Sequence, residues 1–317
     1  MILDDMIHGI KQANKIAILT HVNPDGDAVG SSLGMYIALK EIGKDVHIII
    51  PEYSRIFKFL PSTDDIKKAG EGEYDLVLAL DCATEQRLAD NNSVFQNTKI
   101  KMQIDHHVSN SMYADYNYVD PVAPACAQIL IRVLKYWNIN ITKEIGTCLL
   151  AGLITDTGGF RYEGVTAETF EMVANLLDTG INISNIYKRV FQIKSKSSFE
   201  LSKIATNRLE FYEDGKIAFT YITLEDEANV GAEVGDYEGC VDIGRDIEGV
   251  EVSIFLREIP TGGFKISMRS NEYVNVSDIC LMFGGGGHVK AAGCTIATGT
   301  LEQIKDRIIM ETKAYLK

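Results

Sequence analysis

No uninterrupted apolar run in the 317-residue chain approaches the roughly 18 residues that a membrane-spanning helix needs. The first residues, MILDDMIHGIKQANK, also lack the basic-then-apolar order of a secretory leader, so none is expected. No two cysteines form a CxxC pair: the six stand at positions 82, 126, 148, 240, 280 and 294. That spacing excludes zinc knuckles and thioredoxin-type chemistry, and scattered thiols with apolar neighbours suit a reducing cytoplasm. Positive charge is short as well. Against 44 Asp and Glu there are 31 Lys and Arg, a net charge of −13. Proteins that live on long nucleic acid usually carry a basic face. Neither long DNA nor a membrane is therefore an expected partner, whereas a short anionic substrate held by a few cations or metals is. No internal repeat or low-complexity tract is found.

What is present has an ordinary globular balance, 46% hydrophobic and 24% charged, in a chain long enough for two cores. The first half alternates strand and helix patterns. KIAILTH (15–21), DVHIII (45–50), YDLVLALD (74–81) and KIKMQIDHH (99–107) read as strands. GSSLGMYIALKEIG (30–43), APACAQILIRVLKYW (123–137), KEIGTCLLAGLI (143–154) and 168–178 read as helices, with a Gly/Asp loop before the first of them. Alternation of this kind predicts βαβ units and a mainly parallel sheet, whose ligands gather at the carboxyl ends of the strands. A polar, Lys- and Ser-bearing stretch, RVFQIKSKSSFELSK (189–203), reads as the connector to a smaller α/β domain. That domain has strands at 216–224, 250–259 and 263–270, a helix over 275–283 that stops at GGGG, and a last helix from about 301. The domain expectation is thus 1–188, a linker at 189–203, and 204–317.

Three of the strands run into ionisable residues: His21 with Asp25 and Asp27 beyond it, Asp81, and Asp105-His106-His107. Asp156, which follows the apolar run LLAGLI, joins them. No Lys or Arg lies in these strand ends, and carboxylates a few ångströms apart raise one another's pKa. Divalent cations resolve the conflict. Aspartate and histidine without thiolate favour Mn²⁺ or Mg²⁺, with Fe, Co or Zn as further candidates. Four ligand carboxylates, Asp25, Asp27, Asp81 and Asp156, would balance two such ions. A lone strand-end aspartate is usually a helix cap or turn former. Four such sites on one sheet edge, two beside histidines, make independent turn roles improbable.

HVNPDGDAVGSSLG (21–34), LDCA (80–83), DHH (105–107) and LITDTGGF (153–160) resemble, in order, the four signature motifs of the DHH phosphoesterase superfamily. GFKISMRS (263–270) and FGGGGHVKAAGC (283–294) resemble its associated DHHA1 domain. Length and layout are most similar to the NrnA-type enzymes, oligoribonucleases that also act as 3′-phosphoadenosine 5′-phosphate (pAp) phosphatases. The resemblance implies two Mn²⁺ per chain, with Mg²⁺ or Co²⁺ as substitutes. It implies His21 and Asp25 on one ion, Asp27, His106 and Asp156 on the other, and Asp81 between them. His107 would donate to the substrate phosphate, and Asp105 would orient an imidazole.

For the second domain the expected substrate residues are Arg269, Ser270, Gly285, Gly286, Gly287 and His288. Arg269 offers a planar fork, and the glycine run offers backbone N–H groups that a phosphate can approach closely. Arg161 reads either as a substrate contact or as a surface salt bridge. The reaction expected is metal-assisted hydrolysis of short oligoribonucleotides and pAp in an interdomain cleft. The alternatives are linear or cyclic dinucleotides (pApA, pGpG, c-di-AMP), inorganic pyrophosphate, and a catalytically silent nucleotide-binding protein. A homodimer is compatible with the apolar helices.

Overall fold

The computed structural model describes residues 2–317 and divides into two compact units, which part between Ile193 and Lys194. The first holds, in chain order, α1 (Ile2–Gln12), β1 (Lys15–Leu19), α2 (Gly26–Glu41), β2 (Asp45–Ile49), β3 (Leu76–Leu80), α3 (Asn92–Asn97) and β4 (Ile100–Asp105). It continues with β5 (Tyr116–Val119), α4 (Cys126–Tyr136), α5 (Lys143–Asp156), α6 (Ala167–Leu177) and α7 (Ile183–Tyr187). The five strands form one sheet in the order β2-β1-β3-β4-β5, parallel at every pairing. Strand order reverses between β1 and β3, which opens a crevice beyond their carboxyl ends. Every residue of β3 is buried, as in a strand covered on both faces.

Two boundaries differ from the sequence expectation in ways that bear on the site. α2 begins at Gly26 instead of Gly30, because Asp25 caps it: its Oδ1 accepts the N–H groups of Asp27 and Ala28, each at 3.0 Å. The expected Gly/Asp loop is thus largely the first turn of a helix. α5 runs on through Asp156, so that carboxylate ends a helix. β5 and α1 were not foreseen. β5 is only half-buried along its length and gives little apolar signal.

α2 and α5 cross closely because α2 carries Gly26, Gly30 and Gly34 four residues apart, on one face. A Cβ on Gly30 would lie 2.5 Å from the Cys148 carbonyl oxygen, and one on Gly152 would lie 2.8 Å from Asp27 Oδ1. Around this crossing Leu33, Met35 and Leu39 of α2 and Leu149, Leu150 and Leu153 of α5 are fully buried. Each such side chain stabilises the fold by about 1.5–3 kcal/mol.

The segment 189–203 is mostly helical. Lys188–Gln192 form a π-helical turn, and Lys196–Asn207 form α8, whose first turn is capped by Ser195 Oγ on the Ser198 N–H at 2.8 Å. Leu201 and Ala205 bury α8 in the second unit, so only Ile193–Ser195 lie between the two helical pieces.

The second unit continues with β6 (Glu210–Tyr212), β7 (Ile217–Ile222), α9 (Leu224–Val230), α10 (Cys240–Arg245), β8 (Val252–Glu258) and β9 (Phe264–Ser270). It ends with α11 (Val276–Leu281), β10 (Gly286–His288), β11 (Ala291–Ile296) and α12 (Leu301–Lys313). Its six strands run β10-β11-β9-β8-β7-β6, antiparallel except for β7 with β8. Ile254, Ile266 and Met268 pack with α11 and α12, while Phe255 and Ile222 pack with α8 and α10. Among the described residues no helix is long and apolar enough to cross a membrane.

Gly30→Ala should destabilise the protein by about 1–3 kcal/mol, since the contact is to backbone and cannot yield by a rotamer change. Urea unfolding measures this, and an unchanged or raised midpoint would refute the close crossing.

Candidate metal centre

The first unit brings His21, Asp25, Asp27, Asp81, Asp105, His106, His107 and Asp156 together. His21 follows β1, Asp81 follows β3, and Asp105 to His107 close β4, so these five residues come from the sheet's carboxyl edge. Asp25 and Asp27 come from the start of α2, and Asp156 from the end of α5. Asp81 has φ +52°, the left-handed region that aspartate tolerates better than most residues. Such a conformation costs of order 1–3 kcal/mol and persists where the surroundings enforce it. Here the Asp81 N–H donates to the Ile104 carbonyl at 3.1 Å, and its side chain turns between three imidazoles.

Two donor sets result. His21 Nε2 lies 4.0 Å from Asp25 Oδ2 and 3.8 Å from Asp81 Oδ2. His106 Nε2 lies 3.4 Å from Asp81 Oδ1 and 3.3 Å from Asp156 Oδ2. In the sets His21–Asp25–Asp81 and Asp27–His106–Asp156, the ligand atoms lie within 4.8 Å of one another. Asp81 thus presents one oxygen to each side.

The surroundings aim these atoms. His106 Nδ1 donates to the Ala123 carbonyl at 3.1 Å and His21 Nδ1 to the Val22 carbonyl at 2.9 Å, so both rings turn Nε2 toward the carboxylates. Burial, and then the Arg87 guanidinium 3.1 Å from Nδ1, push the His21 pKa down and keep the ring neutral, the state a metal requires. Asp27 lies at the start of α4, where its carboxylate accepts the N–H groups of Cys126 at 2.5 Å and Ala127 at 3.0 Å, with Ser31 Oγ at 3.0 Å. These are the orphan donors of a helix N-terminus. Asp105 accepts from His107 Nδ1 at 2.8 Å and from Asn110 Nδ2 at 2.5 Å. The imidazole that Asp105 orients is therefore His107.

The electrostatics of the cluster suit a cation. Burial, then Asp81, push Asp27 up to about 7. Burial also pushes Asp156 well above the carboxylate range, with Asp27, Asp25 and Asp81 adding to it against His106. His106 is raised despite its burial, through Asp81 and Asp156. Protons thus settle on Asp27, Asp156 and His106, where a divalent ion would otherwise sit. Asp81 Oδ1 is buried with no hydrogen bond of ordinary geometry. No thiolate competes. Cys126 and Cys82 direct Sγ to the carbonyls of Ile104 and Thr84, and burial pushes both thiols up, Cys82 to about 12. The donor set fits hard or intermediate divalent ions.

The substrate residues expected in the second domain stand as follows. Arg269, on β9, donates from Nη1 to the Met268 carbonyl at 3.0 Å. Ser270 is buried, and its hydroxyl donates to the Val274 carbonyl at 2.7 Å. The glycine run is not a free loop: Gly286 to His288 form the edge strand β10, paired with Gly293 to Ala291. A Cβ on Gly285 would collide with the Gly293 carbonyl oxygen and one on Gly287 would lie 2.5 Å from that of Ala291, so strand packing explains both glycines. A Cβ on Gly286 would meet nothing within 4 Å. Arg161 donates from Nε to the Gly158 carbonyl at 2.6 Å and makes no ion pair among the described residues. Sequence reasoning missed Arg87, Asn110 and Ser31. Arg87 has its partner 66 positions away, Ser31 one helical turn away, and Asn110 across the loop that follows β4.

A parallel sheet with two carboxylate–imidazole sets at its switch point, sharing one aspartate, defines a metal-dependent phosphoesterase. The DHH family, N-terminal domain, matches residues 15–153, and the DHHA1 domain matches residues 214–314. A bifunctional oligoribonuclease and PAP phosphatase, NrnA, of Thermus thermophilus is 34% identical over 305 residues, 95% of this chain and 90% of its own. The chain belongs to the DHH phosphoesterase family, with the DHH–DHHA1 arrangement. Among solved structures, an exopolyphosphatase-related protein of Bacteroides fragilis superposes with a TM-score of 0.89 at 30% identity, over 99% of this chain and 96% of its own. RecJ of Thermus thermophilus in complex with Mn²⁺ shares the fold, with a TM-score of 0.56 at 12% identity over 99% of this chain and 54% of its own.

Two outcomes are expected. Because Asp27 titrates near 7 without metal, added Mn²⁺ must displace protons. Apparent affinity should rise as pH rises through about 7, and calorimetry in buffers of different ionisation enthalpy should register proton release. Asp156→Asn removes a carboxylate that burial disfavours, so the metal-free Tm should hold or rise while the Mn²⁺-induced gain shrinks. A lower metal-free Tm with an undiminished Mn²⁺ gain would contradict the assignment.

Proposed function

We propose that the protein hydrolyses short oligoribonucleotides and pAp to mononucleotides, using two Mn²⁺ per chain, with Mg²⁺ or Co²⁺ as substitutes. The observation that carries this reading is the pair of donor sets that share Asp81 through its two oxygens, 3.8 Å from His21 and 3.4 Å from His106. Support for the substrate class comes from the Thermus relative, whose name gives both activities.

His21, Asp25 and Asp81 would hold one ion and Asp27, His106 and Asp156 the other. Bound there, the ions would lower the pKa of a water and neutralise charge on the phosphate. The chain's own groups do the rest. Asp105 fixes the tautomer of His107 by accepting from Nδ1. His107 then turns its other nitrogen to a phosphate oxygen, and its raised pKa, which burial opposes and Asp105 drives, keeps a proton available. Arg87 and the Val22 carbonyl hold His21 neutral and aimed. In the second unit Arg269 offers a guanidinium to substrate phosphate, and Gly286 leaves backbone open where a side chain would intrude. Ser270, committed to Val274, supports that strand end, and His288 completes the edge.

A panel of di- to pentaribonucleotides, pAp, pApA, pGpG and pyrophosphate with Mn²⁺ tests the reading. The expected result is cleavage of the short RNAs and pAp, and loss of both with Asp81→Ala by about 10³-fold or more, on the order of 4 kcal/mol. Full Mn²⁺-dependent activity in that variant would sink the proposal, and preference for pApA or pGpG would move it to dinucleotides. The glycines separate cleanly: Gly286→Ala should keep Tm and raise KM, whereas Gly285→Ala should lower Tm, because only the latter collides with the sheet.

A further inference from the structure

The turn after α5 takes no part in the chemistry above, yet it is lined in an unusual way. Gly158 and Gly159 both have positive φ, 58° and 74°. A Cβ on Gly158 would run into the Tyr162 ring, and one on Gly159 would stand 3.2 Å from the Tyr187 ring and 3.5 Å from that of Phe191. Three aromatic rings therefore rest on bare backbone just past Asp156. Tyr162 is 44% exposed and Phe191 43%, so their outer parts are open. Tyr187 and Phe191 lie 5.7 Å apart between ring centroids.

Phe191 owes this position to the π-helical turn Lys188–Gln192, an element that recurs at functional sites. The same turn leaves Lys188 and Arg189 exposed, with no ion pair among the described residues. Arg161 sits at the same glycines, its Nε donating to the Gly158 carbonyl at 2.6 Å. In a chain of net charge −13, no acidic residue occurs between Asp178 and Glu200, while Lys188, Arg189, Lys194 and Lys196 do. On the other side of the turn Glu163, next to Tyr162, is exposed as well.

We propose that the surface formed by Arg161, Tyr162, Tyr187, Lys188, Arg189 and Phe191 holds a second nucleotide of a single-stranded oligoribonucleotide, next to the one whose bond is cut. It rests on the phosphoesterase reading above and extends it. Ring faces stack on any base, and unpaired cations follow the phosphates without reading sequence. A mononucleotide such as pAp has no second nucleoside to place there. The surface therefore sets the preference for chains over mononucleotides, and does so independently of the ions.

The test uses the full chain with Mn²⁺ and the variants Phe191→Ala and Lys188→Ala/Arg189→Ala. Fluorescence anisotropy of a labelled, non-hydrolysable phosphorothioate pentaribonucleotide gives affinity. Steady-state kinetics give the ratio of kcat/KM for a pentaribonucleotide to that for pAp. Each variant should weaken pentamer binding and lower the ratio by about tenfold. The double variant should also flatten the slope of log affinity against log salt by roughly 1.4, the value for two phosphate contacts on a single strand. Phe191→Trp should restore binding, which a purely structural role for the ring would not predict. Unchanged pentamer affinity in the variants, or equal losses on both substrates at preserved Tm, would overturn the proposal. A wild-type protein that cleaves neither substrate would instead sink the underlying functional reading.

Discussion

Several aspartates share one water-poor space beyond the sheet edge, and their mutual repulsion sets the terms for the rest of the first unit. Desolvation alone would protonate a buried carboxylate, and each neighbour of like charge adds to the penalty. The fold answers with two kinds of positive partner. The imidazoles of His106 and His107 stand beside Asp81 and hold its pKa below the usual carboxylate range against its burial. The first N–H groups of α4 receive Asp27. Asp156 and Asp27 keep the raised pKa values that burial and like charge impose. Without another cation, protons settle on these two carboxylates, beside the α2–α5 crossing.

That crossing is also where stability and function meet. Gly152 lets α5 pass beside Asp27, and Gly30 lets α2 reach the Cys148 carbonyl. Larger residues would add buried area but would push the two helices apart, and with them Asp27 and Asp156. Glycine in a helix costs roughly 0.5–1 kcal/mol relative to alanine. The cost is accepted at positions where the distance between the carboxylates of Asp27 and Asp156 depends on the helices staying close.

Much of the first unit was legible from its sequence. Apolar runs ending in Asp or His mark parallel strands whose tips share a crevice, and β1, β3 and β4 place His21, Asp81 and Asp105–His107 accordingly. Other features depend on tertiary packing that no local pattern carries. Asp25 reads as a turn residue and is one: it caps α2 with Oδ1 while Oδ2 faces His21, so the structural and the chemical roles coexist. GGGG reads as a loop because glycine disfavours strands, yet the close backbone of β11 leaves room for nothing else at Gly285 and Gly287. The polar stretch 189–203 reads as a linker because its buried residues, Leu201 among them, are few. Arg87 gave no signal, since its partner is 66 positions away.

The left-handed backbone at Asp81 has a consequence for how the two halves of the centre stay in register. A side chain on an ordinary strand end reaches its ligand through rotamers, and rotamers exchange. At Asp81 the left-handed main chain, pinned through its N–H to β4, sets where the side chain departs from the backbone. The separation of the two donor sets is therefore a ruler cut into the polypeptide itself. Sliding of β3 against β4 would therefore shift both donor sets at once.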